Sequence, residues 1–175
     1  MGQANQKWDR IMSFFFNYPT LVISIRQLAA KVKVPKSTLQ RELQGLIKEK
    51  LIMKISQGYS PGYKANEANF WYKFHKRNFL ISQIYDCGLI DYLEAQFHPA
   101  VIMLFGSGAK GEYHHQSDLD IFLLASEKDV KIQKYEKKLR RKINYVTKEN
   151  YTQLSPELFN NIINGYKLSG YLKLR

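Results

Sequence analysis

The sequence predicts an α+β fold in two parts, helices closed by a β-hairpin at the N-terminus and a small mixed sheet with helices after it. Three observations lead there. Apolar residues recur at helical spacing between Trp8 and Ile47, then give way to two short β-prone runs. Two longer apolar runs, at 101–105 and 121–125, are separated by a polar stretch rich in glycine. Between the two parts, residues 66–98 begin aromatic and basic and continue apolar at helical spacing, as a connector would. The expected division is 1–65, 66–98 and 99–175, in a chain of 175 residues that suffices for one domain or two small ones.

Taken in order, Trp8, Ile11, Met12, Phe15 and Phe16 form one helical face, and Tyr18-Pro19 stops that helix because proline disfavours helix in the residue before it. Leu21-Val22-Ile23-Ser24 is a short apolar segment, and Ser24 can cap a helix over 25–32 that buries Ile25, Leu28, Ala29 and Val32. After a tight break at Lys33-Val34-Pro35-Lys36, Ser37 is expected to cap a second helix with Leu39, Leu43, Leu46 and Ile47 inward. A capping box there would want an acid at position 40, and Glu42 comes too late. Residues 51–55 and 62–65 then flank a loop at 56–61.

Two helices with a short break, followed by a hairpin, resemble a winged helix-turn-helix domain. The resemblance implies that the second helix enters the major groove of double-stranded DNA, led by its N-terminal residues. Lys36, Ser37, Thr38, Gln40, Arg41 and Gln44 are then the candidates. Gln40, Arg41 and Gln44 carry donors and acceptors suited to base edges, whereas Lys33 and Lys36 suit phosphates. A wing would add Lys54, Gln57, Tyr59 and Lys64. The charge balance agrees: net charge is +12, and residues 1–65 hold eleven Lys or Arg against three acids, while the remainder holds sixteen against twelve. The same pattern also serves dimerisation or protein docking with a solvated basic face. A pair of such domains reading two half-sites would make the chain a homodimer.

In the connector, Phe70-Trp71-Tyr72-Lys73-Phe74-His75-Lys76-Arg77 interleaves aromatics and cations, a pattern that can stack on single-stranded nucleic acid. It leads straight into a helix with Phe79, Leu80, Ile84, Leu89, Ile90, Leu93 and Phe97 available for burial, so packing is the expected role. Gly88 is expected to kink or divide that helix.

Residues 101–125 carry the chemistry. If both apolar runs are strands, Gly106-Ser107 forms the turn after the first, and Asp118-Leu119-Asp120 opens the second. Residues i and i+2 share a face of a strand, so Asp118 and Asp120 project together while Leu119 is buried. Two carboxylates on a rigid strand suit a hard divalent cation such as Mg²⁺. Glycine allows close approach of a phosphate, and the Ser107 hydroxyl and nearby N–H groups can donate to its oxygens, with Lys110 adding charge. A surface Asp pair on an ordinary hairpin is the plainer alternative.

This block resembles the nucleotidyltransferase superfamily of DNA polymerase beta in its minimal form, through Gly106, Ser107, Ala109, Gly111, Glu112, Ser117, Asp118 and Asp120. The resemblance implies transfer of a nucleoside monophosphate from a triphosphate to a hydroxyl, with release of pyrophosphate. Gly106 and Ser107 would hold the triphosphate, and Asp118 and Asp120 would be the catalytic acids that ligate Mg²⁺ or Mn²⁺. The superfamily has a third acid on the following strand. Here 127–142 reads as a basic helix with Val130, Ile132, Tyr135, Leu139 and Ile143 on its apolar side, and residues 143–147 as the next strand. The aligned position is then Asn144, which offers a neutral oxygen and cannot act as a base. Glu149 follows soon after but lies beyond that strand. The tail, with Leu158, Phe159, Ile162, Ile163, Leu168, Leu172 and Leu174, is expected to cover the sheet, and Ser155-Pro156 to start a helix there.

Composition excludes other classes. No run approaches the twenty or so apolar residues of a membrane helix, and MGQANQKWDR lacks the apolar core of a secretory signal. Gln6 stands where a myristoylation signal wants Ser or Thr. A single cysteine, Cys87, leaves no intrachain disulfide, in keeping with a cytoplasmic protein. His114-His115 has no cysteine company that would suggest zinc. Two functions follow as expectations: a metal-dependent nucleotidyltransferase with a DNA-binding arm, or a DNA-binding regulator whose nucleotidyltransferase domain has lost catalysis. Family resemblance adds that such minimal domains are often antitoxins, whose partner would be a helical ribonuclease toxin.

Overall fold

Helix α1 (Gln6–Asn17) buries Ile11, Met12, Phe15 and Phe16 completely, because these four positions fall on one side of a 3.6-residue turn. The computed structural model describes residues 6–57 and 60–173. The chain divides into two compact units, Met1–Phe74 and His75–Arg175.

In the first unit, strand β1 (Ile23–Ser24) runs into α2 (Ile25–Val32). Ser24 closes a full capping box: its Oγ accepts from the Gln27 N–H at 3.3 Å, and the Gln27 side chain accepts from the Ser24 N–H at 3.2 Å. Lys33 ends α2 in the left-handed region at φ 53°, and three residues later α3 (Lys36–Lys48) begins. The expected cap at Ser37 is corrected: the N-cap is Pro35, with no side-chain hydrogen bond. A proline already fixed near φ −55° sets the entry into the helix, so the cap needs no hydroxyl. Leu28, Val32, Leu39, Leu43 and Leu46 are buried between these helices and the sheet.

Strands β2 (Ile52–Gln57) and β3 (Ser60–Ala65) pair antiparallel from Ile52↔Ala65 to Gln57↔Ser60, and β1 pairs with Tyr63 and Gly62 of β3. The sheet order is β1-β3-β2. The hairpin reaches further than the expected loop at 56–61 allowed, since Ser56 pairs with Pro61 beyond the two residues held by β1. Tyr59 lies outside the described residues, as does Leu174 at the other end.

Helix α4 (Phe70–Asp86) contains the division between the units, after Phe74. Asn69 accepts from the Tyr72 N–H at 3.0 Å and so caps it. Phe70 and Trp71, expected to pack, are 69% and 57% exposed. The buried stripe instead runs through Tyr72, Lys76 and Leu80 at four-residue steps, which leaves the first two aromatics off it. Tyr72 donates to the Phe15 carbonyl at 2.8 Å. Gly88, at φ 79°, separates α4 from α5 (Leu89–Phe97).

The second unit holds a four-stranded mixed sheet in the order β6-β5-β4-β7. Strand β4 (Val101–Phe105) leads into α6 (Gly106–Lys110), and a loop returns the chain to β5 (Leu119–Leu124), antiparallel to β4. A crossover through α7 (Gln133–Leu139) brings β6 (Ile143–Lys148) parallel to β5. The helix expected over 127–142 is thus shorter: residues 126–132 are non-helical, and Ile132, Tyr135 and Leu139 supply its buried side. Helix α8 (Pro156–Ile163) starts with Ser155 accepting from the Leu158 N–H at 3.2 Å. Strand β7 (Tyr166–Gly170), which sequence reading did not anticipate, adds to the free edge of β4.

One face of this sheet carries Val101, Met103 and Phe122 against Ile162, with Phe105, Leu124, Val146, Leu154, Leu158 and Leu172 around them. On the other face, the Phe97 ring of α5 meets Tyr145 of β6 at 5.9 Å, and Tyr92 meets Tyr135 at 5.0 Å. Among the described residues, no helix is long and apolar enough to cross a membrane.

Replacing Ser24 with Ala should remove about 1 kcal/mol of stability, and with Gly only a few tenths. Urea unfolding of the two variants checks this; a Ser24→Ala variant as stable as the wild type would mean the hydroxyl is not a stabilising group.

Candidate functional site

The acid pair stands at the start of β5. Asp118 is the exposed residue just before the strand, Asp120 is half-buried on it, and Leu119 between them is fully buried on the opposite side. Asp120 is flanked on both edges: it pairs with Phe105 at the end of β4 and with Asn144 on β6. Alternation places Phe105, Asp120 and Asn144 in one row, on the sheet face that also carries Met103, Phe122 and Val146.

The turn after β4 is shaped to that row. Gly106 adopts φ 67°, which favours glycine, and the Asp120 carboxylate reaches the space a β-carbon there would fill. The acid therefore lies directly against the turn backbone. Ser107 is half-buried in the first turn of α6, and Lys110 is exposed at its end. The Glu112 N–H donates back to the Ser107 carbonyl at 2.9 Å.

On the other edge, the Asn144 amide Nδ2 donates to Asp118 Oδ2 at 3.2 Å and to Asp120 Oδ1 at 3.3 Å. Both expected acids thus converge on one nitrogen. Glu149 lies elsewhere: it follows the end of β6, roughly 16 Å along an extended strand from position 144, and accepts from the Ser126 hydroxyl at 2.8 Å. Among the described residues, no group of three or more His, Cys, Asp or Glu side chains could gather on a metal. His114 and His115 sit exposed in the loop before the pair.

Sequence reading missed what holds that loop. Arg141, between α7 and β6, donates through Nη1 to the carbonyls of His114 and Ser117, the second at 3.0 Å. Ser117 closes the turn by accepting from the His114 N–H at 2.9 Å. The guanidinium carbon lies 4.5 Å from the centre of the Tyr113 ring, and the buried Lys76 Nζ lies 4.8 Å from it. Tyr113 donates to the Lys76 carbonyl at 3.0 Å. Burial pushes its phenol far above the ordinary range, against the pull of Arg141. Burial also lowers Arg141 from its usual value. The only signal in the sequence was an aromatic residue in a polar loop, with a basic run some twenty-five residues away.

In the first unit, Lys33, Lys36, Ser37, Gln40, Arg41 and Gln44 are exposed, Thr38 is half-buried, and Lys54 is exposed on β2. Ser37, Gln40, Arg41 and Gln44 follow three- and four-residue steps and share the side of α3 away from Leu39, Leu43 and Leu46. Arg41 approaches Glu42 at 3.9 Å but is 75% exposed, so that pair does little to hold it.

Residues 88–168 match the family model described as "Polymerase beta, Nucleotidyltransferase". The matched stretch contains Gly106, Ser107, Asp118, Asp120 and Asn144, and it supports a nucleotidyltransferase domain in the second unit. No curated protein matches the chain.

Stability should carry a Tyr113 signature in alkali. Its folded-state pKa is raised, so the native protein keeps the proton while the unfolded chain loses it above the ordinary value of 10.0. Stability is unaffected below that value and falls as pH rises past it, by up to about 1.4 kcal/mol per pH step of one. Urea midpoints from pH 9 to 11 should fall more steeply for the wild type than for Tyr113→Phe; parallel slopes would refute the assignment.

Proposed function

We propose that the second unit binds a nucleoside triphosphate at Gly106, Ser107 and Lys110 and transfers its nucleoside monophosphate to a hydroxyl acceptor. The observation that carries this reading is the Asp120 carboxylate held against the Gly106 turn with Asp118 beside it, together with the family match over 88–168. The acid pair suits a hard divalent cation: the two carboxylates lie close enough together to share one amide hydrogen-bond donor, and a backbone turn suited to phosphate adjoins Asp120 on its other side. Asp118 and Asp120 would hold Mg²⁺ or Mn²⁺, which supplies positive charge for the α-phosphate and the leaving pyrophosphate. Gly106 brings the backbone close to a phosphate, the Ser107 hydroxyl donates to it, and Lys110 adds a mobile charge. In transfer, the acceptor hydroxyl gives up its proton to solvent, its oxygen bonds to the α-phosphorus, and the α–β phosphoanhydride bond breaks to release pyrophosphate.

The first unit is read as a winged helix-turn-helix domain that brings this chemistry to double-stranded DNA. Its order of helix, strand, two helices and hairpin supports that, as does the exposed row Ser37, Gln40, Arg41, Gln44 on a basic segment. The second reading, a DNA-binding regulator of antitoxin type with a degenerate transferase domain, is favoured by Asn144. It stands beside both acids and has no basic atom to take the acceptor's proton.

A labelled-nucleotide transfer assay with Mg²⁺ or Mn²⁺ and candidate acceptors separates the two readings. Asp118→Ala with Asp120→Ala should abolish metal-dependent nucleotide binding, checked by equilibrium dialysis; a folded double variant that binds normally would count against the pocket. Arg41→Ala should weaken DNA binding. If Arg41 meets a phosphate, the slope of affinity against salt falls by about one; if it meets a base, sequence choice relaxes. Titrations across salt concentrations measure this, and a wild-type protein without DNA affinity at low salt would remove the role.

A further inference from the structure

We infer that Asn144 makes the acid pair a site for a single divalent cation. Its amide already occupies the side of the pair on which a second cation would need an anionic oxygen. The inference rests on reading Asp118 and Asp120 as the cation-holding residues.

The chemistry of the donors decides the orientation. One Asn144 nitrogen lies 3.2 Å from Asp118 Oδ2 and 3.3 Å from Asp120 Oδ1. Carboxylate oxygens accept, so the side-chain atom facing both must be the NH₂ group, which has one hydrogen for each acid. These hydrogens carry positive partial charge and repel a cation approaching from β6. Turning the amide to present its oxygen would break both hydrogen bonds and offer one neutral donor instead. The amide also offsets the repulsion that draws two neighbouring carboxylates apart, so Asn144 is a positioning residue for the pair.

The opposite side is different. Asp120 Oδ2 is directed to the Gly106 backbone, where no β-carbon intervenes, next to Ser107. An anionic oxygen is therefore presented toward the proposed phosphate turn and not toward β6. Strand register fixes this asymmetry, because Asp120 pairs with Phe105 on one edge and Asn144 on the other. Glu149 cannot compensate, being tied to Ser126 past the far end of β6.

Stoichiometry tests this on the full chain. Mn²⁺ is titrated against the protein with and without a non-hydrolysable ATP analogue, and free Mn²⁺ is read by electron paramagnetic resonance. The Asp118→Asn, Asp120→Asn double variant is subtracted to remove adventitious surface binding. The wild type should bind a single ion at the pair. Asn144→Asp should bind a second and hold the first about tenfold more tightly or better. Two ions at the wild-type pair, or an Asn144→Asp variant that behaves as wild type, overturns the inference and leaves the cation-site reading standing. No difference between wild type and the double variant overturns both. Should Asn144→Asp fail to fold, the wild-type stoichiometry is joined by nuclear magnetic resonance of the Asn144 side-chain amide. Its hydrogens should remain bonded when Mg²⁺ is added, and their release would overturn the inference.

Discussion

Strand β5 has to be two things at once, and the rest of the second unit is arranged around that demand. It is the strand that pairs with both β4 and β6, so its backbone polar groups are satisfied on either edge, and Leu119, Ile121, Phe122 and Leu123 are fully buried. Its entry nevertheless lies at the rim, where Asp120 is half-buried and Asp118, just before the strand, is exposed. A period of two reconciles these requirements: the row that carries Asp120 at the rim carries Phe122 in the core two residues on. A slip of one residue against β4 or β6 would send the acids to the wrong face and Leu119 into solvent. The apolar cluster beneath α8 therefore fixes the position of the acids as well as stabilising the sheet.

The loop before Asp118 is held from the opposite end of the chain segment. Arg141 bonds two of its carbonyls and lies against Tyr113, whose hydroxyl is tied to the backbone of α4. Arg141 is half-buried and Tyr113 buried, so both would be costly to leave without partners. Together they turn a polar, histidine-containing stretch into a fixed approach to the strand. The acid pair thus rests on two supports: register sets Asp120, and the Arg141 contacts set the backbone just ahead of Asp118.

Much of the local structure was legible because its causes are local. The α1 face, the Ser24 cap, the break after Val32, the division at Gly88 and the Ser155-Pro156 helix start all depend on residues within a turn of one another. The Gly106 turn and the shared face of Asp118 and Asp120 follow from the same short-range rules. Misreadings arose where a local signal competed with another. Ser37 looked like a cap, but Pro35 had already set the helix, and the apolar spacing of 130–143 looked helical across a stretch that is irregular up to Ile132. Phe70 and Trp71 looked like core because aromatics usually are, yet the helix presents Tyr72 and Lys76 inward instead.

By itself the sequence marked most of the helices and strands and the faces of many of them, though not β7, the irregular stretch up to Ile132 or the exposed start of α4, since periodicity and capping are properties of neighbours. It also marked the glycine turn, the two acids and the neutral Asn144. Only the tertiary structure decided who meets whom. It set the amide of Asn144 between both carboxylates, brought Arg141 and Lys76 to Tyr113 and laid the polar strand β7 along β4. Those pairings join residues far apart in the chain, and their partners are chosen by which surfaces the core brings into reach, a global packing condition that no window of sequence contains.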